Sequence, residues 1–236
     1  QTILSPQNFE CNQPITPSMT VKNTGNGVIN SYEYGYILDN GTPVNFGPVN
    51  STVAVGATFT LNYASALPVL TPGTHTIKMY TRLPNGTADS WPTNDTLTKT
   101  FVVRQLYNFV SENFNAPWPP DSVTIINPNG NFTWIEAIPG RASRAATKID
   151  NYNNAANGQT DDLQLLPINT RNPTGTAFAD SVILTFDVAH KNYPGFNDFL
   201  SVVASNNCGN TFSPTTYNKS GPTLATAGSS TAAYNV

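Results

Sequence analysis

Two histidines, His75 and His190, are the only side chains in this 236-residue sequence that titrate near neutral pH without help from their surroundings. Strand alternation puts His75 on one face with Ile77 and Met79, and His190 on one face with Leu184, Phe186 and Val188. Such surroundings are those of core or core-edge histidines rather than catalytic ones. Asp161 and Asp162 are adjacent, so on a strand they point to opposite faces and cannot work as a paired acid and base. No H-E-x-x-H, no G-x-S-x-G and no phosphate-cradling glycine loop occurs. The expectation is a protein that is not an enzyme.

Aromatic residues offer a different chemistry. Trp118, Tyr152, Tyr193 and Phe196 each lie beside Gly, Pro or Asn in loop-like sequence. Rings held on turns can stack on sugar rings, although aromatic side chains more often fill a core. Trp91, in "DSWPTND", reads as a loop residue covering the end of a sandwich. The two cysteines, Cys11 and Cys208, make no metal or redox motif. They could bridge in an exported chain, but their placement in separate domains favours two unbridged thiols.

The elements that must position these residues are short strands. Charged residues make up 11% of the chain, against roughly 25% in ordinary soluble domains. Thirty Asn and 31 Thr solvate the surface instead. Nineteen Pro and 16 Gly argue against long helices. A net charge of −3 gives no electrostatic footprint for nucleic acid. No apolar run approaches the ~20 residues that span a bilayer. "SMTVKNTGNGVI", "SYEYGYILDNGTPV", "STVAVGATFTLNYA", "GTHTIKMYTRLPNG" and "NDTLTKTFVV" alternate with period two between turn signals. That is the rhythm of an immunoglobulin-like sandwich. After "FVVRQLYNFV" the aromatics and Asn-rich loops become denser, and "DSVILTFDVAHKNY" and "NDFLSVVASNNCG" read as longer strands. The expected domains are therefore 1–106 and 107–236, all-β throughout.

The series "ITPSMTVKNTGNGVINSYEYGYILDNG", "VGATFTLNY", "PGTHTIKMYT" and "NDTLTKTFVV" resembles the CARDB family of bacterial adhesion-related Ig-like domains, over roughly residues 8–104. "SENFNAPWPPDSVTIINPNGNFTW", "NYNNAANGQTDDLQLLPI", "LTFDVAHKNY", "DFLSVVASNNCGNTF" and "YNKSGPTLATA" resemble the cleaved-adhesin and choice-of-anchor J modules, MAM-like jelly rolls of secreted Bacteroidota proteins. The resemblance implies an Ig-like sandwich followed by a jelly roll. That family continues beyond the point where "SSTAAYNV" ends this sequence, so the resemblance implies either a fragment or closing strands supplied elsewhere.

Related jelly rolls hold a structural Ca²⁺ near the first strand, and Glu112, Asn129 and Asp162 are the side-chain ligands this implies. "NPNGN" stands where the family carries an acidic run, so the alternative is that these groups close Asx-turns. Phe114 and Trp134 are expected to be largely buried and to pin the loop. The Asp-Ser/Thr-aliphatic O-glycan motif of that phylum fits at Asp95, Asp121 and Asp180, which places the modified hydroxyls at Thr96, Ser122 and Ser181.

The function implied is adhesion, or the spacing of other domains, in a secreted or cell-surface bacterial protein exported by type IX secretion. Its partners would be other domains or chains of a larger surface protein, glycans or a host surface. Two other classes stand beside it: a carbohydrate-binding accessory region of a secreted hydrolase, and a subunit of a surface filament.

Overall fold

Apolar residues at every second position organise the first part of the chain into eight strands: β1 (Thr2–Ser5), β2 (Phe9–Cys11), β3 (Ser18–Lys22), β4 (Ile29–Leu38), β5 (Val44–Val53), β6 (Thr58–Asn62), β7 (Gly73–Arg82) and β8 (Thr96–Arg104). The structure is a computed structural model, described for residues 1–115, 117–138, 145–153, 158–171 and 181–228. One sheet has the order β1-β3-β6 and the other β2-β8-β7-β4-β5. The chain enters on β1, antiparallel to β3, then crosses to β2, which pairs parallel with β8 in the opposite sheet. Division of the first strand between two sheets gives an immunoglobulin-like sandwich.

The core is what the alternation predicts. Met19 and Val21 of β3 and Leu61 of β6 face Tyr32, Tyr34 and Tyr36 of β4, Ile77 and Met79 of β7, and Phe101 and Val103 of β8. Each such side chain contributes about 1.5–3 kcal/mol on burial. Tyr63 stands among the aromatic rings, edge-on to Tyr34 with centroids 4.9 Å apart. Its hydroxyl donates to the carbonyl of Gly35 at 2.8 Å, and burial raises its pKa so that it stays protonated. The expected "DNG" hairpin turn joins β4 to β5, with Asp39 and Asn40 carrying the positive φ values and the Gly41 amide donating to Leu38.

Gly35 is required by close packing rather than by backbone freedom. A β-carbon there would stand 2.4 Å from the Val44 carbonyl and 2.5 Å from the Tyr80 hydroxyl. Asn23, in the "NTGNG" turn, is a buried amide with its partners in place. Its Nδ2 donates to Gly27 and Val53 carbonyls at 2.9 and 3.0 Å, and its Oδ1 accepts from the Gly25 amide. This explains why the turn uses Asn, since no apolar residue would tie the end of β3 to the end of β5.

The chain separates into two compact units, Gln1–Gln105 with Asn206–Thr211, and Leu106–Ser205 with Phe212–Val236. Segment 206–211, expected in the second domain, thus groups with the first. Here the reading of two unbridged cysteines is overturned: Cys11 and Cys208 form a disulfide, their Cα atoms 5.6 Å apart. The thiols were assigned to separate domains because the long-range excursion of 206–211 leaves no local trace. Beside the disulfide, Asn210 Oδ1 accepts from the Phe9 amide at 3.0 Å and Asn210 Nδ2 donates to the Phe9 carbonyl. One side-chain amide thereby occupies backbone groups on the outer edge of β2.

The second unit contains β9 (Val123–Ile126), β10 (Ile135–Ala137), β11 (Ala146–Lys148), β12 (Asp162–Leu165), β13 (Phe199–Ala204) and β14 (Ser213–Ser220). They pair antiparallel as β9–β12, β10–β11 and β13–β14. "DFLSVVA" forms β13 as expected. The strand expected from "DSVILTFDVAHKNY" is absent from its described part: residues 181–190 form no ladder, and Val182, Ile183, Leu184 and Phe186 are exposed, Ile183 by 82%. Alternation identified an apolar face there, but it cannot supply the neighbouring strand that a ladder requires. Among the described residues of this unit, Val123 and Leu224 are the buried hydrophobic side chains.

Candidate functional site

Two turns of the second unit bring aromatic rings together. Tyr193–Phe196 closes with the Phe196 amide donating to Tyr193 at 3.1 Å, Pro194 supplying the second position and Gly195 the positive φ of 87°. That is the residue order of a type II turn. The other turn, around Tyr152, is held by Asp150, which accepts the Asn153 amide at 3.3 Å and its side-chain Nδ2 at 2.8 Å. The Tyr152 and Tyr193 rings lie 6.1 Å apart at 58°, and Tyr193 meets Phe196 edge-on at 5.4 Å and 75°. Tyr193 is half-buried, whereas Tyr152 and Phe196 are 54% and 53% exposed. Three of the four expected ring-stacking residues therefore form one cluster. Trp118 is half-buried and packs against Phe114, 6.3 Å away.

Of the residues expected to hold Ca²⁺, Glu112 and Asn129 have oxygens engaged by protein hydrogens. Glu112 accepts from the Phe114 amide through one oxygen and from the Ser122 hydroxyl through the other. Asn129 Oδ1 accepts the Asn131 amide at 3.0 Å, while Asn127 accepts from Gly130 and donates to the Asn131 carbonyl. Asp162 is exposed at the start of β12, paired with Ile126. Among the described residues no group of three or more His, Cys, Asp or Glu side chains could hold a metal ion. Ca²⁺ takes six to eight oxygens, more than the side chains of Glu112, Asn129 and Asp162 supply by themselves.

Other expected residues are placed as follows. Phe114 and Trp134 are half-buried, not largely buried, and Trp134 Nε1 donates to the Asp161 carbonyl at 3.1 Å. Trp91, expected to cover the sandwich end, is 73% exposed just before the 3₁₀ turn Pro92–Asn94. Thr96 is half-buried opposite Tyr80, Ser122 is bound to Glu112, and Ser181 is exposed in a shallow cleft with Phe109, Ile168, Val182 and Ile183. His190 is half-buried, anchored through its backbone to Thr226.

His75 lies against Phe101 at the core edge, as its strand face predicts. Both ring nitrogens face acceptors: Nδ1 meets Asp39 Oδ2 and Nε2 meets the Thr71 carbonyl. Desolvation pulls the His75 pKa down, but the hydrogen bonds to Asp39 and Thr71 and the charge of Asp39 outweigh it and leave a net rise. Desolvation pushes Asp39 up, and its bonds to His75 and to the Thr76 amide outweigh that and leave it lowered. Asp39 went unidentified in the sequence beyond its turn role. Its tie to His75 depends on the β4–β7 register, where Leu38 pairs with Ile77.

No family model matches the sequence, and no curated protein matches it either. Among solved structures the chain matches a CARDB domain from Pyrococcus furiosus, solved in complex with di-metal ions. The identity is 14% and the TM-score 0.30, over 41% of this chain and 79% of that one.

Proposed function

We propose that the chain is a non-catalytic adhesion or spacer segment of a larger secreted or cell-surface protein, with a CARDB-type first domain and a jelly-roll second domain. The observation that carries the reading is the Cys11–Cys208 disulfide, 197 positions apart in sequence. Disulfides form and persist in oxidising compartments and are rare in the cytosol. The titratable chemistry of the first unit supports the same reading. His75 is consumed in a structural clasp with Asp39 and Thr71. Export by type IX secretion is the finer form of this proposal and follows from the resemblance of the second domain.

The test is thiol trapping in the native host. Cells are alkylated before lysis, and the Cys11 and Cys208 peptides are mapped with and without reductant, alongside protease shaving of intact cells. A cross-linked peptide pair from a surface-accessible protein is expected. Alkylated thiols at both positions, or a protein recovered only from cytoplasm, would sink the reading.

A second reading, a carbohydrate-binding accessory region of a secreted hydrolase, is favoured by the Tyr152–Tyr193–Phe196 cluster.

A further inference from the structure

The rings of Tyr152, Tyr193 and Phe196 sit on two turns, and each turn is closed by its own hydrogen bonds without help from the rings. The aromatic groups are thus not needed to hold the backbone that carries them. A ring that served only as local core would be covered, yet the two outer rings leave half their surface in water. Single exposed rings are ordinary on a protein surface, but rings gathered into one contiguous patch are of the kind that marks a ligand site.

We infer that this cluster binds neutral glycans by stacking sugar ring faces on Tyr152 and Phe196. The sugar's C–H groups meet a π-face, an attraction that needs no charge and suits a chain solvated by amides and hydroxyls. Asn151 and Asn197, both exposed, are next in sequence to Tyr152 and Phe196, and amides of this kind can pair with sugar hydroxyls. The angles decide the form of ligand. Tyr193, between the outer rings, is tilted 58° from Tyr152 and 75° from Phe196, so the three rings do not share one plane. A flat crystalline polysaccharide face needs coplanar rings to lie on, whereas a single bent chain or a terminal sugar can meet two rings at an angle. The ligand class is therefore soluble, neutral, pyranose-containing polysaccharide. The inference rests on the non-catalytic reading above, but its failure is separable, since thiol trapping and surface exposure do not depend on sugar binding.

The experiment is native affinity electrophoresis of the whole chain in gels containing soluble β-glucan, xylan, mannan or glycogen, with a parallel pull-down on microcrystalline cellulose. Retardation by at least one soluble polysaccharide is expected. Tyr152→Ala and Phe196→Ala are each expected to weaken it about tenfold, equivalent to about 1.4 kcal/mol. Trp91→Ala, a similarly exposed aromatic in the first unit, is expected to bind as wild type. Unchanged melting temperatures would show that the half-exposed positions tolerate truncation; if one variant misfolds, the other carries the comparison. No retardation by any of the four, binding to crystalline cellulose alone, or full retardation of both variants would overturn the inference.

Discussion

Asp39 Oδ2 lies 2.6 Å from Nδ1 of His75, while Nε2 of the same ring stands 2.8 Å from the carbonyl oxygen of Thr71. Neither partner can donate, so the ring satisfies both only as the doubly protonated imidazolium. The end of the β4–β5 hairpin is thereby tied to the start of β7 by a charge that exists only while His75 holds its second proton.

Stability of the first unit should fall as pH rises past neutrality. The folded pKa of His75 is raised above 6.5, so its contribution is complete below 6.5 and lost as pH climbs through the raised value. Asp39 is lowered from 3.8, so its contribution is present above 3.8 and lost as pH falls through the lowered value. Asp95, raised to about 6 first by burial and then by the charge of Asp89, also favours acid, but its contribution is spent between 3.8 and about 6. Melting temperature measured from about pH 7 to 9 therefore reports His75, with a decline of a few degrees expected on the order-of-magnitude scale of small domains. Asp39→Asn should flatten that decline, whereas Asp95→Asn should leave it in place. A decline undiminished in Asp39→Asn would refute the clasp.

Gly35→Ala should destabilise the sandwich by about 3 kcal/mol, at the upper end of overpacking costs. Adding Tyr80→Ala should not rescue it, because the Val44 carbonyl lies as close to the new methyl group as the Tyr80 hydroxyl does. Urea midpoints of the two variants measure both effects; a single variant within 1 kcal/mol of wild type would contradict the packing.

Replacing Cys11 and Cys208 together by Ser should cost about 2–5 kcal/mol, the range for loss of a native disulfide. Chemical unfolding of wild type in reductant should reproduce the variant. Equal midpoints with and without reductant would mean that the cross-link adds nothing.

Calcium and chelator should give coincident melting curves, because Glu112 and Asn129 already accept hydrogens from Phe114, Ser122 and Asn131. Glu112→Gln should lower melting equally in both, by the loss of charge-assisted bonds worth about 1.5–3 kcal/mol each. A calcium-dependent rise that disappears in Glu112→Gln would restore the cation reading.

Much of the first unit was legible because its information is local. Period two alone put His75, Ile77 and Met79 on one face, and "DNG" marked a turn whose positive φ values fall on Asp39 and Asn40. What escaped depends on contacts between distant segments. Nothing near Cys208 shows that 206–211 joins the first unit, and no pattern in "SVILTFDVAH" shows whether another strand stands beside it. Tyr152, Tyr193 and Phe196 were each marked by neighbouring turn residues. Their convergence follows from how two turns meet, which no single stretch encodes. The "NPNGN" run was read two ways, and the observed hydrogen bonds within it are those of self-closing turns.

The disulfide also sets where mechanical tension travels. A pull applied outside the two cysteines, before Cys11 and after Cys208, passes directly through the sulfur–sulfur bond. The 197 steps of chain between them carry none of the load. Fully extended, that shielded length is on the order of 650 Å. Strands β3 to β8 of the sandwich and β9 to β13 beyond it all lie in this stretch. Tension would leave pairs with both strands inside it, such as β4–β5 and β9–β12, folded while the bond holds, although β13 would lose β14; a reductant would turn the same molecule into an extensible one. Force–extension records with and without reductant should differ by that released length.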